Sequence, residues 1–82
     1  MPKKQSIQRF GEKLRALRMH HGLTLKELAG ELDLVAHGYI SELELGKKLP
    51  TVELVLKVAG LFKVTTDELL RDDMELDLDD NH

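Results

Sequence analysis

The chain has no cysteine, which removes both a disulfide framework and a thiolate metal site. No apolar run approaches the roughly 18 residues that a membrane-spanning helix needs. The basic opening Met1-Pro2-Lys3-Lys4-Gln5-Ser6 is not followed by the apolar stretch of a signal peptide, so the expected location is the cytoplasm. Aromatic residues are only 4% of the chain although 41% is hydrophobic, so a core must be built from Leu, Val and Ile, which suits packed helices better than aromatic-bearing strands. At 82 residues there is room for one domain and none for a second, catalytic one. Catalytic patterns are also missing. There is no phosphate-cradling glycine loop or nucleophile motif, and neither His20-His21 nor His37 has a carboxylate or second imidazole at a metal-binding spacing. No enzyme activity, cofactor or metal is expected, and the His20-His21 pair reads as a favourable cation near a helix C-terminus.

What is present is an uneven charge distribution. The net charge of −3 is unpromising for a partner made of phosphates. All 12 basic residues, however, lie in residues 1–71 beside 9 acidic ones, whereas residues 72–82 hold six carboxylates and no Lys or Arg. The chain is a mildly basic body with an acidic tail, and it divides into a basic arm (1–6), a body (7–71) and the tail (72–82).

Within the body, apolar residues recur at helical spacing. Ile7, Phe10, Leu14 and Leu17 form a first stripe ended at Gly22. Thr24 with Glu27 is a capping box, each side chain satisfying an N–H at a helix start, and it opens a second helix carrying Leu28, Ala29 and Leu32. Asp33-Leu34-Val35 reads as a turn, and Ile40 and Leu43 mark a third helix over 36–45, stopped by Gly46. Thr51 caps a fourth stripe through Val52, Val55, Leu56 and Ala59, and a second box, Thr65 with Glu68, opens a short fifth helix ending near Arg71. These spacings predict an all-α body of five short helices.

The second and third helices, joined by a short turn, form the pattern of a helix-turn-helix. Leu14-Arg15-Ala16-Leu17-Arg18, Gly22-Leu23-Thr24, Glu27-Leu28-Ala29, Tyr39-Ile40-Ser41, Glu44-Leu45-Gly46-Lys47-Lys48, Pro50 and Val64-Thr65-Thr66-Asp67-Glu68-Leu69-Leu70 follow one another in the order and near-spacing of the Xre/Cro-type regulators, which this stretch resembles. The resemblance implies a compact lambda-repressor-like fold and a transcriptional regulator of double-stranded DNA whose third helix enters the major groove. It places base contacts at Ala36, His37, Gly38, Ser41 and Glu42, phosphate contacts at Thr24, Leu25, Lys26, Tyr39, Lys47 and Lys48, and an internal ion pair between Arg18 and Glu44. The chemistry agrees: His donates to guanine, Glu accepts from the cytosine amino group, and lysines neutralise phosphate. If Ile40 and Leu43 face the core, His37, Gly38, Ser41 and Glu42 fall on the opposite, exposed face.

The sequence departs from the family at four points. The Leu32 to Ile40 segment is one residue longer than usual, Asp33 stands where the turn usually has Gly, Leu25 stands where Gln commonly contacts DNA, and Gly38 weakens the reading helix. A homodimer on an inverted repeat is expected, with Leu69 and Leu70 exposed at the end of the body as its seam. The alternating Met74-Glu75-Leu76-Asp77-Leu78-Asp79 either extends that seam as an intersubunit strand through Met74, Leu76 and Leu78 or is a disordered acidic tail. The alternative function is an interaction module, such as an antitoxin or anti-repressor, whose tail binds a partner protein.

Overall fold

A computed structural model describes residues 7–34 and 37–78, without the side chain of His37. Five helices succeed one another: α1 (Phe10–His20), α2 (Leu25–Glu31), α3 (His37–Glu44), α4 (Val52–Phe62) and α5 (Thr66–Leu70), with no strand among the described residues. No helix among them is long and apolar enough to cross a membrane.

The caps written in the sequence set most of the boundaries. Thr24 Oγ1 accepts from Glu27 N–H at 3.0 Å while Glu27 Oε1 accepts from Thr24 N–H at 2.8 Å, and Thr65 with Glu68 repeats the arrangement at the same distances. Thr51 Oγ1 accepts from Leu54 N–H at 3.1 Å to start α4. Four helices end in the same way, with a left-handed residue just past the last turn and an N–H reaching back five residues. Leu23 N–H donates to Arg18 O past Gly22, Leu34 N–H to Ala29 O past Asp33, Lys47 N–H to Glu42 O past Gly46, and Val64 N–H to Ala59 O past Lys63. Asp33 adopts φ 61° and so does the work of the glycine usual there.

The start of α1 differs from the expectation. The stripe that begins with Ile7 enters the helix only at Phe10, and Ile7 is exposed. The reason lies far along the chain: Asp72 Oδ1 accepts from Arg9 N–H at 3.0 Å and Oδ2 from Gln8 N–H at 3.2 Å, capping α1 there. Phe10, Leu14 and Leu17 of α1, Leu28 of α2, Ile40 and Leu43 of α3, Leu54, Val55, Val58 and Phe62 of α4 and Leu69 of α5 form one core, aliphatic but for the two Phe rings. α3 packs on both α1 and α2, and α5 on both α4 and α1.

One residue of the expected dimer seam, Leu69, is not exposed as expected. Leu69 is fully buried and Leu70 half-buried against the core, because α5 turns that face onto α1 and α4. Residues 74–78 form no strand; Leu76 and Leu78 are half-buried against the chain's own core, and Glu75 accepts two hydrogen bonds from the Arg9 guanidinium at 2.9 Å. Lys13, buried within α1, completes the join. Its ammonium donates to Glu68 O and Arg71 O, each at 2.6 Å, closing the C-terminal end of α5, and burial lowers its pKa from the ordinary lysine value. Helix α1 thus receives its N-cap from Asp72 and supplies the C-cap of α5.

Candidate nucleic-acid interface

The pose of α3 is fixed by two contacts with α1. At Gly11 the helices approach so closely that a Cβ there would land on the Leu43 carbonyl and lie 2.9 Å from Glu44 O. Two turns further along α1, Arg18 Nε donates to Glu44 Oε2 at 2.6 Å and Nη2 to Oε1 at 3.0 Å, while Nη1 donates to Leu23 O at 2.9 Å. The side chains of this pair are only 15% and 7% exposed, and the carboxylate raises the pKa of the guanidinium. One arginine therefore ties α1, the turn before α2 and the end of α3 into a fixed angle. A buried pair of this kind orients more than it stabilises.

The residues expected to meet DNA distribute around this anchored helix. Gly38, in its first turn, is exposed, and a Cβ there would meet nothing within 4 Å, so no internal packing demands the glycine. Ser41 and Glu42 are half-buried, with 47% of the Glu42 side chain exposed, because packing of α3 on two helices narrows its free surface. Glu42 Oε1 lies 3.9 Å from Lys48 Nζ. Ala36 and the side chain of His37 lie outside the described residues. Thr24, Lys26, Lys47 and Lys48 are exposed beside the helix-turn-helix, whereas Leu25 and Tyr39 are half-buried and lean on the core, which limits both to their outer atoms as phosphate contacts. Among the described residues no group of three His, Asp or Glu side chains is placed to hold a metal ion.

Two of the positioning residues, Gly11 and Lys13, escaped the sequence reading. The signal for the first was a glycine inside an otherwise regular helical stripe, where it costs about 1 kcal/mol relative to Ala without some compensating contact. The signal for the second was a lysine directly preceding Leu14 near the apolar stripe, which looks like any solvated cation.

A family model described as helix-turn-helix matches residues 14–69, a stretch that includes α2 and α3. The chain belongs to the Xre/Cro-type helix-turn-helix family. It is 37% identical over 59 residues to the HTH-type transcriptional regulator DdrOP3 of Deinococcus deserti, covering 72% of this chain and 45% of that protein. It is 43% identical over 61 residues to the HTH-type transcriptional activator BcrR of Enterococcus faecalis, covering 74% of this chain and 29% of that one. The chain thus spans less than half the length of either relative. Among solved structures, the N-terminal DNA-binding domain of SinR from Bacillus subtilis superposes with a TM-score of 0.72 at 26% identity, over 83% of this chain and 99% of that one. The restriction-modification controller protein C.AhdI from Aeromonas hydrophila superposes with a TM-score of 0.68 at 30% identity, over 78% and 96%. Arg9, Asp72 and Glu75, which join the two ends of the body, all fall outside the residues the family model matches.

Proposed function

We propose that this helix-turn-helix chain is a transcriptional regulator that binds double-stranded DNA sequence-specifically in the cytoplasm, acting as a binding module and not as an enzyme. The observation that carries the reading is α3 held at a fixed angle by Gly11 and the Arg18–Glu44 pair, with exposed Lys26, Lys47 and Lys48 beside it. In this reading α3 enters the major groove, where His37, Ser41 and Glu42 meet base edges and the exposed Gly38 lets the backbone approach closely. Lys47 and Lys48 neutralise phosphates, so DNA competes for Lys48 against its loose 3.9 Å partner Glu42. A single α3 spans too few base pairs for genomic selectivity, and a homodimer reading an inverted repeat with half-sites about 34 Å apart supplies the rest.

The test is binding to genomic fragments as a function of salt. Replacing Lys47 and Lys48 by Ala should weaken binding to all sequences alike and reduce the log–log salt slope by about 2. His37→Ala and Glu42→Ala should change the selected sequence with little effect on non-specific affinity. An unchanged slope and an unchanged selected motif together refute the reading.

A further inference from the structure

The tail and the reading helix α3 meet α1 from opposite sides. Arg9, Lys13 and Ala16 stand on one side of α1, where with Glu75, Leu76 and Leu78 of the tail they line one cleft. Gly11 and Arg18, two turns apart on the other side, make the two contacts that fix α3. α1 is therefore held between the tail and the C-terminal end of α3. Its first turn is the weak point. No side chain of its own caps it, Gly11 is a poor helix former, and the N–H groups of an opening turn have no partner within the helix. Order there comes from position 72. The Asp72 carboxylate accepts from the Arg9 and Gln8 N–H groups and suits the positive end of the α1 dipole, and the Asp72 carbonyl accepts from Arg9 Nη1 at 2.8 Å. Lys13 N–H then donates to Arg9 O at 2.9 Å as the helix begins.

We propose that Asp72 is a positioning residue for the reading helix: by ordering the first turn of α1 it seats Gly11 against the Leu43 and Glu44 carbonyls and so sets the pose of α3 on DNA. The proposal rests on the DNA reading given above and assigns the tail a part in it. Without Asp72 the opening turn frays and Gly11 leaves the end of α3. Of the two contacts only the Arg18–Glu44 pair then remains, and α3 can swing about it. Base contacts tolerate such a swing poorly, since they need side chains within about 0.5 Å of their target geometry, whereas flexible lysines follow phosphates. The loss should therefore fall on selective binding and spare non-specific binding. Charge alone predicts the opposite sign. Residues 72–82 hold six carboxylates and no Lys or Arg, so removing one should tighten binding to phosphates wherever the tail lies within a Debye length of them, about 10 Å at 0.1 M salt.

Fluorescence anisotropy on the full chain, with the duplex that the wild type selects and with a scrambled one, tests the proposal. Asp72→Ala should weaken selective binding about fivefold, the worth of one helix cap, and leave scrambled-duplex binding unchanged. Asp72→Asn removes the same charge but keeps an acceptor, and should recover most of the loss. Glu75→Ala frees the tail from Arg9 without touching the cap, at a side chain that is 77% exposed, and should cost a smaller factor. Should Asp72→Ala lose its helical circular dichroism, Glu75→Ala decides alone. In the DNA-free protein, Asp72→Ala should speed amide exchange at Lys13 and shift the Leu43 and Glu44 amide signals, with Asp72→Asn close to the wild type. Equal effects of Ala and Asn at position 72, or tighter binding by Asp72→Ala or Glu75→Ala, overturn the proposal. So does exchange that quickens at Lys13 while Leu43 and Glu44 stay unmoved, which would confine Asp72 to a structural role at its own end of α1. A wild type that selects no sequence refutes the DNA reading itself, a failure separable from that of the coupling, which the DNA-free spectra record alone.

Discussion

Replacing Gly11 by Ala should cost this protein much of its stability, although Ala is the better helix former. In isolation the change favours a helix interior by about 1 kcal/mol. Here the added methyl would land on the Leu43 carbonyl and lie 2.9 Å from Glu44 O, both backbone atoms that cannot swing aside. α1 and α3 must therefore part by roughly 1 Å, enough to forfeit a quarter to a half of each dispersion contact across their interface. Overpacking of this kind costs about 1–3 kcal/mol and occasionally more, and the separation also stretches the Arg18–Glu44 pair. A net loss of about 2 kcal/mol is expected, which lowers Tm by about 8–16 °C for a domain of this size. The assay is urea and thermal unfolding followed by circular dichroism, with Gly30→Ala in α2 as the control. Nothing lies within 4 Å of a Cβ at Gly30, so that variant should gain about 0.5–1 kcal/mol. If Gly11→Ala matches or exceeds the wild type in stability, the close approach of α1 to α3 does not exist as described.

Three further outcomes follow from the same contacts. Arg18→Ala strands the Glu44 carboxylate at 7% exposure and should destabilise by about 3 kcal/mol, with Glu44→Gln in the same chain recovering part of the loss in a double-mutant cycle; full additivity would show that the two groups do not interact. Lys13→Met keeps the buried stem but removes the donor to Glu68 O and Arg71 O, and should cost about 1–3 kcal/mol and speed amide exchange in α5 selectively; an unaltered α5 would contradict its role as a cap. Hydrogen bonding to Arg9 holds the Glu75 carboxyl below its ordinary value of 4.5, so its contribution to tail docking is complete above that pH and lost as pH falls through the lowered pKa. Methyl NMR signals of Leu76 and Leu78 should therefore shift toward free-chain positions only on acidification below that pH, and signals that shift instead between pH 5 and 8 would refute the assignment.

Residues that act on near neighbours were legible in the sequence. Thr24 with Glu27 and Thr65 with Glu68 declare their helix starts within four residues, and Gly22 and Gly46 declare two ends, because the hydrogen bonds involved are local. The Arg18–Glu44 pair was accessible only through family resemblance, since 26 positions separate its members. Periodicity failed at Ile7 and at Leu69 for opposite reasons. Ile7 continues the α1 stripe in sequence, yet the cap at Arg9 comes from Asp72 and holds it outside the helix. Leu69 and Leu70 are adjacent apolar residues on a five-residue helix, too short for a period to show which one faces inward. The tail was read as strand or disorder because acidic and apolar residues alternate there. Its apolar residues instead settle on the core while Glu75 answers Arg9, a pairing that no local pattern encodes.

The exchange of caps between α1 and α5 also bears on how the chain comes off the ribosome. The N–H groups of Gln8 and Arg9 are made 64 and 63 positions before their acceptor, Asp72. Until that residue clears the exit tunnel, the first helix has a frayed start, and the backbone carbonyls that Lys13 will bind do not yet exist. The core helices condense from contacts available earlier, whereas the contacts that close α1 onto the tail wait for residues 72 and 75. A nascent chain arrested before position 72 should accordingly be helical but open at α1, and the few residues beyond α5 act as the latch that turns a condensed bundle into a finished domain.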